Sequence, residues 1–193
     1  MKIIIGTVPS RIEYHSYLKK KLPNAIWIFD HNRDGAMSTY KKKLVKLQNE
    51  CGLILEDDVI FADNFMTKIE HEISKRPNDF INFFSMRKAD FEIGSRYYSD
   101  FIGNLCVYIP KNHSNKILDW HEQYWVPANY EGNMSTSATD LFLRSYLKAN
   151  KIKCWLVVPN LVNHRVGKSV IDPRRSSKRL SKTFIGPTDE EIK

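Results

Sequence analysis

The chain has 193 residues, 42% of them apolar and 27% charged, which suits one compact domain and excludes two full domains, a fibrous repeat and wholesale disorder. A net charge of +8 favours polyanionic partners such as nucleic acid, anionic lipid or phosphorylated glycolipid. Cys51, Cys106 and Cys154 stand far apart in apolar stretches without zinc spacing, and read as buried free thiols in a reducing compartment.

The leading run Met1-Lys2-Ile3-Ile4-Ile5-Gly6 is too short for a signal peptide, and no stretch has transmembrane length, so a cytoplasmic location is expected. Ile3 to Ile5 predicts a buried strand, followed by a loop at Gly6-Thr7-Val8-Pro9-Ser10 and a helix with Ile12, Leu18 and Leu22 on its apolar face. A second strand spans Ala25 to Phe29. Asp30 to Gly35 is a polar turn, and Ser38 is placed to cap a helix through Leu44, Val45 and Leu47. The third strand, Cys51 to Leu55, runs into Glu56-Asp57-Asp58. Asp63 or Asn64 can cap the next helix, with Phe65, Ile69 and Ile73 on one face and Pro77 ending it, before a strand at Phe80 to Met86.

Alternation of strand and helix predicts an α/β domain: an open, mostly parallel twisted sheet flanked by helices, with ligand sites beyond the C-terminal strand ends. The loops at Thr7, Asp30 and Glu56 occupy such ends and should share one crevice. Further along come a strand at Leu105 to Ile109, a helix from about Asn112 to Tyr124, and a Gly/Asn/Ser-rich loop from Pro127 to Ala138. A helix from Asp140 to Ala149 and a strand from Ile152 to Val158 follow. The basic segment Pro173 to Lys182 reads as an exposed tail, which divides the chain into a domain over 1–170 and a tail over 171–193.

The triplet Glu56-Asp57-Asp58 carries the most chemistry. Three adjacent carboxylates repel, and each favours protonation unless a cation or hydrogen-bond donors offset the charge. A hard divalent ion carrying a phosphate-bearing ligand is a fitting offset.

Leu55-Glu56-Asp57-Asp58-Val59 resembles the aspartate-x-aspartate signature of glycosyltransferases with the GT-A fold, in the form found in lipopolysaccharide-type and related bacterial and phage enzymes. Pro159-Asn160-Leu161-Val162-Asn163-His164 resembles the Pro-x-Leu-Val-x-His ending of the same family. The resemblance covers most of the chain and implies a single GT-A-like domain. It also implies that Asp58 and His164 bind Mn²⁺ or Mg²⁺, while Glu56 and Asp57 orient ribose and donor sugar. Thr7, Val8, Pro9 and Arg11 would cradle the nucleotide. Asp30, Arg33 and Gly35 would hold base and ribose, and Asp140 would be the general base. Read without the resemblance, Asp30 and Gly35 make a turn, Asp140 caps a helix, and His164 is a surface residue among the basic Arg165 and Lys168.

The activity so implied is metal-dependent transfer of a sugar from a nucleotide-sugar, a UDP-sugar, to an acceptor hydroxyl. Charge, the basic tail from Pro173 to Arg179 and the aromatics Tyr97, Tyr98, Tyr124 and Trp125 suit a hydroxymethylated pyrimidine in phage duplex DNA. A lipopolysaccharide or other glycan is the alternative acceptor. A nucleic-acid-binding module without catalysis is the alternative of another class. No Gly-x-Gly-x-x-Gly follows the first strand, which speaks against a dehydrogenase.

Overall fold

The structure, a computed structural model, describes residues 1–90, 94–98, 101, 103–124, 138–167 and 179–192. Its strands are β1 (Lys2–Thr7), β2 (Ile26–Phe29), β3 (Gly52–Glu56), β4 (Val59–Phe61), β5 (Phe80–Asn82), β6 (Arg96–Tyr98), β7 (Cys106–Ile109), β8 (Cys154–Leu156) and β9 (Val162–His164). Its α-helices are α1 (Ile12–Lys21), α2 (Ala36–Leu47), α3 (Phe65–Lys75), α4 (Ser114–Tyr124) and α5 (Thr139–Ala149). Seven strands form one sheet in the order β2-β1-β3-β7-β5-β8-β6. β7 runs antiparallel to both its neighbours and β6 antiparallel to β8; the other five strands share one direction. This is the expected α/β architecture, a mostly parallel sheet flanked by helices.

Alternation along the strands sorts the core into two layers, because successive side chains leave opposite faces of a sheet. Ile4, Ile54, Val107 and Ile109 pack with Met37, Tyr40, Leu44 and Leu47 of α2, Ile117 of α4 and Phe142, Leu143, Tyr146 and Leu147 of α5. Ile5, Leu53, Leu55 and Tyr108 pack on the opposite face with Leu18 of α1 and Phe65 and Ile69 of α3. The register pairs Gly6 with both Ile28 and Glu56, and Thr7 with Phe29, so the ends of β1, β2 and β3 lie level. The Glu56 N–H donates to the Leu105 carbonyl at 3.0 Å, which brings the start of β7 to the same end.

Several local expectations are corrected. Ile12 is 72% exposed and Val45 58% exposed; the buried faces instead carry His15 with Leu18, and Tyr40, Lys43, Leu44 and Leu47. Ser38 lies inside α2, whose N-cap is Gly35. Asn64 precedes α3 with φ 53° and makes no side-chain cap bond. The strand expected over Phe80 to Met86 stops at Asn82. There the buried Asn82 amide donates to the Tyr98 hydroxyl and the Gly103 carbonyl while its oxygen accepts from the Phe84 N–H. Tyr98 is therefore tied into the fold, whereas Tyr97 and Tyr124 are exposed. Trp125, most of the loop from Pro127 to Ala138, and most of the basic segment from Pro173 fall outside the described residues.

The three cysteines are free; Cys106 and Cys154 are buried and Cys51 half-buried. Among the described residues no helix is long and apolar enough to cross a membrane.

Candidate active site

The polypeptide leaves β1 at Thr7, makes a single 3₁₀ turn over Pro9–Arg11 and enters α1. Pro9 begins that turn, where its missing N–H costs nothing, and the Arg11 N–H closes on the Val8 carbonyl at 3.1 Å. This short turn aims Arg11 across the end of β3. Its Nη1 pairs with Asp57 Oδ1 and lies 3.3 Å from Asp58 Oδ2.

The three acids of the triplet have different surroundings. Glu56 faces α2, where Lys43 Nζ meets its Oε1 at 2.7 Å and the Leu55 carbonyl at 3.2 Å. Lys43 has no exposed surface, so Glu56 is the carboxylate partner that makes its burial tolerable. Gly6 leaves the room, since a Cβ there would lie 2.9 Å from the Thr39 methyl and 3.1 Å from Lys43 Nζ. Asp57 turns inward. Its Oδ2 accepts from Thr7 Oγ1 at 2.6 Å, and Thr7 Oγ1 lies 2.9 Å from His15 Nε2. The hydroxyl proton is directed to Asp57, so the His15 Nε2 is the N–H that donates to Thr7. Burial, reinforced by Lys19, lowers the His15 pKa. Burial also pushes the Asp57 carboxyl up to about 6, against the pull of Arg11 and the Thr7 hydroxyl.

Asp58 gains its surroundings from the far end of the chain. β4 and β9 form an antiparallel ribbon that pairs Val59 with His164, and the Arg165 N–H donates to the Asp58 carbonyl at 2.8 Å. His164 Nδ1 thereby lies 3.4 Å from Asp58 Oδ2. Burial alone would raise the Asp58 pKa, but His164, Arg11 and Arg179 outweigh it and hold the carboxyl well below the usual carboxylate range. His164 is fixed edge-on against Phe84, with ring centroids 5.2 Å apart. His164 is only partly exposed, and its neighbour Arg165 is buried, paired with Asp189 at 2.6 Å and laid over the Tyr14 ring at 4.2 Å.

Residues after 178 reinforce this corner. The Ser181 N–H donates to Asn163 Oδ1 at 2.8 Å, the Ser181 hydroxyl to Asn160 Oδ1 at 2.7 Å, and the Asn160 N–H to Thr183 Oγ1 at 3.1 Å. Segment 179–192 is thus stitched along 160–165, next to His164.

The structure therefore brings Thr7, Arg11, Asp57, Asp58 and His164 together, with Glu56 beside them. Of the other predicted residues, Asp30 and Asp140 have partners of their own. Asp30 is buried, and its two oxygens accept the Asp34 and Gly35 N–H groups at 2.8 and 3.0 Å, closing the turn into α2. Gly35 has φ 96°, a conformation that favours glycine, while Arg33 is exposed with φ 57°. Asp140 lies in the first turn of α5 and accepts from the Leu141 N–H at 3.0 Å; among the described residues no hydrogen bond or ion pair joins it to the triplet. His15 and Lys43 are missing from the sequence reading. Helical spacing contains them, since 15 and 18, and 40, 43, 44 and 47, share buried faces.

No protein-family model matches the chain, and no curated protein does. Among solved structures it is similar to A197 from STIV, at 14% identity and a TM-score of 0.52, with 97% of each chain covered. That likeness spans nearly the whole of both chains and shows a shared fold. The chain is also similar to UDP-glucose pyrophosphorylase complexed with UDP-glucose, at 9% identity and a TM-score of 0.48, over 80% of this chain and 72% of that one. A likeness so distant leaves this chain's chemistry to its own residues.

Proposed function

We propose that the chain is a metal-dependent glycosyltransferase that moves a sugar from a UDP-sugar to an acceptor hydroxyl. One observation carries the reading: the β4–β9 ribbon sets His164 Nδ1 3.4 Å from Asp58 Oδ2, at the strand ends where Thr7 and Arg11 also converge. Sequence resemblance assigns these two residues to one ion, and the fold unites them across more than a hundred residues of chain.

The donor set fits such an ion. A carboxylate with an imidazole suits Mn²⁺, and Mg²⁺ is commonly held by one or two carboxylates plus substrate phosphates. No group of three or more His, Cys, Asp or Glu side chains suited to a metal occurs among the described residues, so diphosphate oxygens and water would complete the shell. Asp58 and His164 would hold the ion, which would neutralise charge on the departing diphosphate.

This chain's residues supply the rest. In the transfer the acceptor oxygen attacks the anomeric carbon, the bond to the β-phosphate oxygen breaks, and its electron pair leaves with UDP. Arg11, a planar fork of donors, suits that diphosphate. Glu56, half-exposed and oriented by Lys43, is placed to accept from a sugar or ribose hydroxyl. Asp140 is the proposed base for the acceptor proton. The charge of +8 supports an anionic acceptor, with hydroxymethylated duplex DNA first to be tried and a lipopolysaccharide-type glycan second. Convergence of Arg11, Asp58 and His164 on one point favours an enzyme over a binding module.

The test incubates the protein with UDP-sugars, Mn²⁺ and each acceptor class, reading released UDP and acceptor mass. Transfer that is lost in EDTA and in Asp58→Asn is expected. Transfer that persists in EDTA would sink the metal-dependent reading, and DNA binding without turnover on any donor would favour the binding module.

A further inference from the structure

We infer that Arg11 makes the site selective for a divalent ion and a nucleoside diphosphate together over either one alone. Its guanidinium holds Asp58 until a diphosphate draws it away. The inference rests on reading Asp58 and His164 as the ligands of the ion.

The geometry is specific about which atom is shared. Asp58 Oδ2 lies 3.4 Å from His164 Nδ1 and 3.3 Å from Arg11 Nη1, so the oxygen that would meet the ion already meets a guanidinium. An ion sits about 2 Å from its oxygen ligands, which would place it within a few ångström of a second fixed positive charge. At that separation, in a partly buried site, the repulsion opposes ion binding. A divalent ion entering alone must therefore displace Arg11 and leave it without its second carboxylate.

Arg11 has a pivot for that exchange. It is also paired with Asp57, whose other oxygen is fixed by Thr7 Oγ1 at 2.6 Å, and Thr7 is in turn held by His15 Nε2 at 2.9 Å. Asp57 is only 2% exposed. It cannot follow Arg11 outward, so it is a positioning residue for the guanidinium, not a donor-sugar contact. A diphosphate offers paired oxygens that suit the fork of donors and replace what Asp58 supplied. The ion then takes Asp58 and Arg11 takes phosphate. Each ligand removes what opposes the other, and binding linkage makes that help reciprocal.

The experiment measures binding by the full chain of Mn²⁺ alone, of UDP alone, and of Mn²⁺ at saturating UDP, for wild type, R11Q, R11K and D58N, with a thermal melt of each. In wild type, UDP should tighten Mn²⁺ at least about tenfold, within the usual range of coupling. R11Q should bind Mn²⁺ alone several-fold more tightly than wild type and lower the coupling to what direct contact between ion and diphosphate supplies. R11K keeps the charge without the fork and should fall between them; it serves as the readout if R11Q melts early. Mn²⁺ bound by D58N as well as by wild type would overturn the placement of the ion, and this inference with it. Mn²⁺ that depends on Asp58 yet is held no more tightly by either Arg11 variant would overturn the inference alone.

Discussion

The level ends of β1–β3 and the β4–β9 ribbon build the candidate site from two kinds of structure. At the strand ends, neighbours in space are near neighbours in sequence: β1, β2 and β3 follow one another through the chain and lie side by side. The ribbon joins Val59 to His164, and its partner strand is stitched down by Ser181 and Thr183 and by Asp189 through Arg165. The strand ends are held by sheet and helix packing, and the ribbon corner by buried polar bonds. The first supplies the shape of the site and the second its proposed chemistry, so the two should fail in different ways.

The largest expected separation is in turnover. D58N keeps the shape of the side chain but removes its charge, and glycosyl transfer should fall by about 10²–10³-fold, the usual cost of losing one preorganised electrostatic partner. Released UDP measures it, and the melting temperature should fall as well, because His164 and Arg11 lose the charge they hold. Arg165→Met cuts the ribbon corner, where both Arg165 and Asp189 are buried, and should cost about 3–5 kcal/mol in denaturant unfolding. It should also weaken Mn²⁺ binding at 20 °C in the folded fraction, because His164 loses its support. Leu53→Ala, in the centre of the sheet, should cost about 2–5 kcal/mol while leaving Mn²⁺ affinity of the folded fraction intact, and equal damage to Mn²⁺ binding by both variants would erase the distinction.

A pH effect is the smallest, because it is the residue of opposed influences on Asp57. Burial holds its folded pKa at about 6, above the value of 3.8 for the free side chain, so the folded chain retains a proton that the unfolded chain releases. Stability contributed by Asp57 is therefore present below the lower value and is lost as pH rises through about 6. Asp57→Asn should flatten that part of the stability profile; an unchanged slope would show that the Arg11 pair dominates.

What could be read from the sequence follows the same division. Short apolar runs at Ile3, Ala25, Cys51 and Leu105, separated by helical periods, were enough to place most of the sheet and to bring Thr7, Asp30 and Glu56 to one end. Periodicity misled where a residue's chemistry opposed its position. Ile12 and Val45 are apolar yet exposed, and Lys43 is charged yet buried, because its ammonium group reaches Glu56 at the end of β3. That pairing is a tertiary fact no helical wheel contains. Asp30 was legible as a site residue and as a turn residue alike, and the N–H groups of Asp34 and Gly35 favour the turn. His164 was found only through its motif. Three residues of β9 carry too weak a pattern to announce a strand, and nothing local says that its partner is Val59 to Phe61.

That ribbon also sets a schedule for synthesis. Domains fold as they leave the ribosome, N-terminal parts first, and contacts between distant residues form late because a long loop must close. By the time β7 is free, β1, β2 and β3 have every sheet neighbour they will have, and Arg11 can already reach the carboxylates of Asp57 and Asp58. His164 comes more than fifty residues later. For that interval the nascent chain holds Asp57 and Asp58 with Arg11 across them, and the imidazole that will face Asp58 is still to come.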